Sequence, residues 1–217
     1  MIIAIDGPAG SGKSTTAKLL AKKLDFIYLD TGSMYRAITL FFLDNGVDLK
    51  NNFHVQNSLE KVDLLIKNKD TFKIYLNDKN VTDILRTSKI DDLVSDVSRI
   101  SDVRKKMVSI QRKFSNNQNV VVEGRDIGSN VFPNAKFKFF LVADVMERAK
   151  RRFKEKKYKE TTTLLDLVQK IKKRDQIDSS RLISPLIKAD DAIEIDTTAL
   201  TIDEQVTKIY DIIKEVT

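Results

Sequence analysis

No cysteine occurs in the 217 residues, which excludes disulfides and thiolate-bound metals. The first strand pattern starts at Ile2, so no signal peptide is expected and the chain reads as cytoplasmic. Long hydrophobic runs are missing too. Leu40 to Leu43 and Phe139 to Ala143 are among the longest, far short of the ~18 residues that a membrane helix needs. There are only three prolines, no low-complexity linker and no internal repeat, so internal boundaries must be read from changes of pattern. The single histidine, His54, lies in a polar stretch and reads as a surface residue.

What is present suits one α/β core carrying an insertion, since 41% of the residues are hydrophobic and the length slightly exceeds one average domain. The net charge of +7 permits a nucleic-acid partner and equally suits a site that must neutralise several phosphates. Part of the excess is local. From Glu147 to Glu160 eight basic residues face three acidic ones, a pattern that a solvated helix face also explains.

The strongest signal is near the start. Gly7-Pro8-Ala9-Gly10-Ser11-Gly12-Lys13-Ser14 fits Gly-x-x-x-x-Gly-Lys-[Ser/Thr] between an apolar run, Met1 to Ile5, and a helical pattern, Ser14 to Leu24. Closely spaced glycines let backbone N–H groups point inward, and the helix N-terminus adds partial positive charge. Lys13 brings a full charge to the outer phosphates, and Ser14 is placed to hold Mg²⁺. The motif predicts a bound nucleoside triphosphate.

Further on, Phe26 to Leu29 reads as a strand ending in a turn at Asp30-Thr31-Gly32, and Ser33 to Leu43 as a helix stopped by Asn45-Gly46. Three short strands, Val62 to Ile66, Thr71 to Leu76 and Asn80 to Thr82, are separated by turn residues. They predict an antiparallel meander at 62–82 inside an insert of about 47–88. Helices are expected at Thr87 to Ile100 and Ser101 to Ser115, then strands at Val120 to Val122 and Phe137 to Val142. Helices at Val145 to Tyr158 and Thr162 to Asp175 follow, with a strand at Ala192 to Ile195 and a last helix at Ile202 to Glu215. The expected fold is a doubly wound five-stranded parallel sheet, helices on both faces, with a small antiparallel insertion. Ligands in such sheets gather at the carboxyl ends of the strands, where Gly7 to Ser14, Asp30 to Gly32 and Glu123 to Asp126 all fall.

Arginines stand beside several of these ends: Arg36, Arg104, Arg125, Arg174 and Arg181. Arginine suits bidentate recognition of phosphate or of a planar base edge. The runs Gly7-Pro8 to Ser14, Asp30-Thr31-Gly32-Ser33-Met34-Tyr35-Arg36, Gly124-Arg125-Asp126-Ile127-Gly128 with Val131-Phe132-Pro133, and Arg174-Asp175-x-x-Asp178-x-x-Arg181 together resemble the bacterial cytidylate kinase family. So does the tail from Ala189-Asp190-Asp191-Ala192 to Ile195-Asp196-Thr197-Thr198. The likeness spans nearly the whole chain in order. It departs from the family at Ser129 and Asn130, where threonine and valine are more frequent.

The resemblance implies transfer of the ATP γ-phosphoryl group to CMP or dCMP with Mg²⁺, by a monomer that needs neither nucleic acid nor membrane. It assigns Gly7, Pro8, Ala9, Gly10, Ser11, Gly12, Lys13, Ser14 and Thr15 to the ATP phosphates, and makes Lys13, Arg125 and Arg181 catalytic. Arg36, Arg125 and Arg181 would hold the CMP phosphate. Ser95, Arg104 and Asp126 would read cytosine with Thr31 nearby, and Arg174 and Asp178 would hold the sugar. The meander would be the CMP-binding insert. The helix at 145–158, with Arg148, Arg151 and Arg152, would be the lid over ATP.

Base chemistry supports the cytosine assignment independently, because a carboxylate accepts from cytosine N4 whereas uracil would turn a carbonyl toward Asp126. No general base is expected, since the acceptor phosphate is already largely ionised. No Walker-B carboxylate is evident: Asp126 and Asp144 are candidates for water-mediated contact with Mg²⁺, and Glu123 either supports the Arg125 region or merely ends a strand. Two other readings stand beside this one: a small P-loop kinase for UMP, AMP or a metabolite, and a basic ATP-binding protein acting on RNA.

Overall fold

The chain is described by a computed structural model that covers residues 1–68, 71–154 and 163–216. Its described residues form two compact units, Met1–Leu29 with Asn117–Thr217, and Asp30–Asn116.

The first unit is built on the expected sheet, in the order β2-β6-β1-β7-β8. Its strands are β1 (Ile2–Asp6), β2 (Ile27–Asp30), β6 (Val120–Gly124), β7 (Phe137–Val142) and β8 (Ile193–Asp196). β1 runs parallel to β6 and β7, and β7 parallel to β8. β1 and β6 are near-continuous apolar runs buried on both faces, as central strands between helix layers must be. α1 (Lys13–Leu24) lays Ala17, Leu20 and Ala21 inward. Each fully buried leucine contributes ~1.5–3 kcal/mol.

The sheet's carboxyl edge carries the chain features of interest. The phosphate loop leaves β1, and Arg125-Asp126 leave β6 into a single π-helical turn at Ile127–Val131 that the sequence does not announce. α6 (Val145–Phe153) starts from Asp144, whose carboxylate accepts from Met146 N and Glu147 N. α7 (Leu164–Ser179) opens on a Thr163–Asp166 capping box and packs on α6 through Ala149, Leu167, Val168 and Ile171. α7 runs four residues beyond the expected end at Asp175, so Asp178 is helical. α8 is Ile202–Val216. Residues 155–158 of the expected lid helix, and 69–70 of the meander, lie outside the described residues.

The second unit starts earlier than the expected insert. Asp30-Thr31-Gly32 is no free turn: Asp30 caps α2 (Thr31–Asp44) by accepting from Ser33 N at 2.9 Å and Ser33 Oγ at 2.6 Å. α2 packs on α4 (Ser88–Val97) and on the small sheet, which draws it into this unit. α3 (Asn52–Glu60), absent from the sequence reading, has few apolar residues and starts from an Asn51 cap. The antiparallel sheet appears as expected, with β3 (Leu64–Asn68), β4 (Phe72–Leu76) and β5 (Lys79–Asn80). Leu64 pairs with Leu76 and Ile66 with Ile74, all buried, while Leu65 stays exposed. Asn77 and Asp78 both take positive φ, as the tight β4–β5 hairpin requires. α5 (Ser101–Phe114) completes the unit, and its Lys106 donates to Val62 O at 2.7 Å.

Candidate active site

The phosphate loop is held open by its own geometry. Gly12 precedes α1 with φ +92 and offers no side-chain cap, and the helix's first turn carries no acidic residue. N–H groups at that end are thereby left for an anion. At Gly7 a Cβ would come within 2.2 Å of Leu141 O, so only glycine lets the loop leave β1 this close to β7. Lys13, buried, turns its ammonium back to Pro8 O at 3.2 Å.

The loop is clamped from outside by residues distant in sequence. Arg148 Nη1 donates to Ala9 O at 3.1 Å and to Asp175 Oδ2 at 2.6 Å, and its Nε to Ala143 O at 3.0 Å. Thr197, fully buried, donates its hydroxyl to Ser11 O at 2.9 Å and receives Arg151 Nη1 at 3.1 Å. Gln205 Oε1 accepts from Thr16 Oγ1 at 2.8 Å and fills the space beside Gly12. Two of the three arginines expected in the lid, Arg148 and Arg151, are therefore anchored at the sheet edge. Arg152 follows them on α6.

Ser14 Oγ donates to Glu123 Oε1 at 2.6 Å, and the Tyr28 hydroxyl approaches the same oxygen at 3.4 Å. This is the carboxylate that sequence reading left unassigned. Asp144 is occupied as a helix cap, and Asp126 Oδ2 accepts from Asn130 Nδ2 at 3.1 Å. A hydroxyl and a carboxylate are hard oxygen donors, the set Mg²⁺ takes when water and phosphate fill its other positions. Among the described residues no three acidic or histidine side chains cluster, so no cage of protein ligands alone forms there.

Beside β6, Asp178 gathers three arginines. Its Oδ2 receives Arg125 Nε at 2.9 Å and lies 4.0 Å from Arg174 Nε, and its Oδ1 receives Arg181 Nη2. Burial alone would raise the Asp178 carboxyl, but Arg125, Arg181 and Arg174 together hold it below the usual range. Three guanidinium groups converge on this carboxylate, and Glu123 and Asp175 also act on Arg125. An isolated Asp178 side chain, 1% exposed, could not stay charged without the arginines.

In the second unit, Arg36 Nη2 pairs with Asp91 Oδ1 at 3.2 Å in a buried setting. Asp30 also receives Arg86 at 3.3 Å; burial pushes its carboxyl up, and Arg86, Arg36 and Ser33 more than reverse this. Arg104, buried, stacks over the Tyr35 ring at 5.6 Å and donates to Ser98 O at 3.2 Å, while Ser98 Oγ reaches Ser95 O at 2.9 Å. Thr31 lies buried in the first turn of α2. Thus Ser95 and Arg104 share one hydrogen-bonded group, with Tyr35 as a stacking partner. Tyr35 and Thr197 stand in the quoted runs without a role, Glu123 without a single one, and Asp6 and Gln205 carry no signal of their own. The carboxylates, Thr197 and Gln205 act through partners tens of residues or more away, and Tyr35 through its ring face.

A parallel sheet with a glycine-rich phosphate loop after its central strand, a loop serine paired with a carboxylate, and arginines from the end of the neighbouring strand and from the end of α7 gathered on one aspartate define a P-loop kinase. The fold agrees with shikimate kinase from Bacteroides thetaiotaomicron, at a TM-score of 0.51 and 13% identity over 99% of this chain and 98% of that one. The chain belongs to the cytidylate kinase family, which it matches over residues 3–215. It is 51% identical over 205 residues to the cytidylate kinase of Fusobacterium nucleatum, covering 94% of this chain and 93% of that protein. It is 48% identical over 217 residues to that of Carboxydothermus hydrogenoformans, covering 98% and 97%. No helix among the described residues is long and apolar enough to cross a membrane.

Proposed function

We propose that this kinase transfers the γ-phosphoryl group of ATP to CMP or dCMP, giving ADP and CDP or dCDP. The observation that carries this reading is the pairing of β1 with β6, in which Asp6 lies opposite Gly124. Adjacent strands ~4.8 Å apart deliver the triphosphate loop on one side and Arg125-Asp126 on the other. The relatives' shared name supports cytidylate as the acceptor.

The loop amides of residues 7–15, Pro8 apart, and Lys13 hold the β- and γ-phosphates, with Pro8 shaping the loop. Ser14 and Glu123 would hold Mg²⁺, which when bound would offset the charge of the phosphates. Arg36, Arg125 and Arg181 bind the acceptor phosphate. Ser95, Arg104 and Asp126 recognise cytosine, with Thr31 nearby, and Arg174 and Asp178 serve the ribose. Because both Asp178 oxygens engage arginine, its larger effect is to set the guanidinium forks. An oxygen of the acceptor phosphate attacks the γ-phosphorus as the bond to the β-phosphate oxygen breaks. No proton need be removed, so positioning and charge stabilisation supply the rate. Arg148 and Arg151 fix the root of the lid, and Arg152 continues it. The enzyme works as a cytoplasmic monomer, as the family resemblance implies.

The test is ADP release with CMP, dCMP, UMP, AMP and GMP as acceptors and Mg²⁺ supplied. CMP or dCMP must lead clearly, and comparable rates with AMP or UMP would reassign the acceptor.

A further inference from the structure

Asp6 is a buried acid that the transfer chemistry does not use. It ends β1 and is 5% exposed, and its two oxygens accept from two successive backbone amides: Ile127 N to Oδ1 at 2.8 Å and Gly128 N to Oδ2 at 2.7 Å. These are the first two N–H groups of the π-helical turn, donors that have no partner within the turn itself. The residue just before them is Asp126, at the cap position with φ −142 and ψ 28.

Asp126 is thus fixed from both sides. Its carbonyl accepts from Asn130 N at 2.9 Å and Val131 N at 3.0 Å, and Asn130 Nδ2 meets its side chain. Asp6 holds the other end, from the neighbouring strand, 121 positions earlier in the chain. Keeping a carboxyl here is costly, because burial pushes Asp6 up to about 7 in spite of the two amides, with Asp126 adding to the rise and Arg125 opposing it. An apolar residue would be cheaper were it not for the amides that need an acceptor.

We infer that Asp6 is a positioning residue for the acceptor: by clamping the turn after Arg125-Asp126 it sets where the Asp126 carboxylate meets the base, and so the choice between CMP and UMP. This rests on the reading of Asp126 as the cytosine-recognising group.

The test is Asp6→Asn, nearly isosteric, whose amide would place an N–H against one of the two backbone donors. The expected result is a rise of about ten-fold in KM for CMP. The ratio of kcat/KM for CMP to that for UMP should fall, and KM for ATP should stay within about two-fold, the split that separates a positioning role from general loosening. Equal losses for ATP and CMP, or an unchanged CMP-to-UMP ratio, would overturn the inference. Asp126→Asn is run beside it. If that variant leaves the ratio unchanged, the cytosine reading falls and takes this inference with it; if it lowers the ratio and Asp6→Asn does not, the inference alone falls. Should Asp6→Asn not fold, Asn130→Val loosens the same turn without touching the buried acid and must give the same split in weaker form, and no split would count against the inference.

Discussion

The Ser14 hydroxyl donates to Glu123 Oε1 over 2.6 Å, joining the first turn of α1 to β6. Strand pairing of β1 with β6 brings the two within reach, so the serine's orientation and the carboxylate's position depend on each other.

Glu123→Gln keeps the shape and the hydrogen bond but removes the charge. The Mg²⁺ concentration for half-maximal rate should rise by about ten-fold, since a neutral oxygen donor is a poorer partner for a hard cation. A Mg²⁺ titration of ADP release checks this, and an unshifted midpoint would remove Glu123 from the metal's surroundings.

Lys13→Ala should lower kcat by at least ~10²-fold, the loss typical of one charge-stabilising donor. Circular dichroism should be unchanged, because the change is confined to the loop, where the ammonium donates to Pro8 O at 3.2 Å. Turnover near that of the parent would exclude it from the transfer step.

Asp178→Asn removes the charge that gathers Arg125, Arg174 and Arg181. Breaking a buried pair of this kind costs about 3–5 kcal/mol, and CMP affinity should fall with it. The carboxyl's depressed pKa fixes the sign: its stabilisation is complete above the usual carboxylate value and is lost as pH falls toward the depressed one. The melting-temperature gap between parent and variant should therefore close on acidification, and a gap independent of pH would contradict the account.

Asp6 behaves in the opposite sense. With its pKa raised to about 7, the folded protein keeps a proton that the unfolded chain loses from about pH 4 upward. This contribution weakens as pH rises from about 4 to about 7 and is constant beyond. Denaturant midpoints of the parent relative to Asp6→Asn should drift downward across that window.

Thr197→Val deletes only the hydroxyl that reaches Ser11 O and Val142 O, both at 2.9 Å. KM for ATP should rise several-fold while KM for CMP holds, with a stability loss of about 1–2 kcal/mol. Parallel changes in both constants would show that the clamp is not specific to the triphosphate loop.

The triphosphate loop was legible in the sequence because its glycine spacing, preceding strand and following helix are all local. The meander was legible for the same reason, its period of two being written residue by residue between turn residues. Asp30-Thr31-Gly32 misled because a glycine after a strand suggests a turn, whereas the Asp30 carboxylate caps a helix that starts at once. α3 was missed because a helix held by little more than Val55 and Leu59 shows almost no periodicity. Asp6 and Glu123 could not be assigned because a carboxylate at a strand end gains its meaning from a neighbouring strand more than a hundred residues away. Asn130, noted only as a departure from the family, is a direct support of Asp126 in this chain.

Gln205 sits on α8 yet takes the Thr16 hydroxyl and packs against Gly12, so the first and last helices share one joint. Chimaeras that graft a relative's final helix onto this chain must carry a matching amide at that position. Otherwise the damage will surface at the opposite terminus, in nucleotide affinity rather than in the grafted segment.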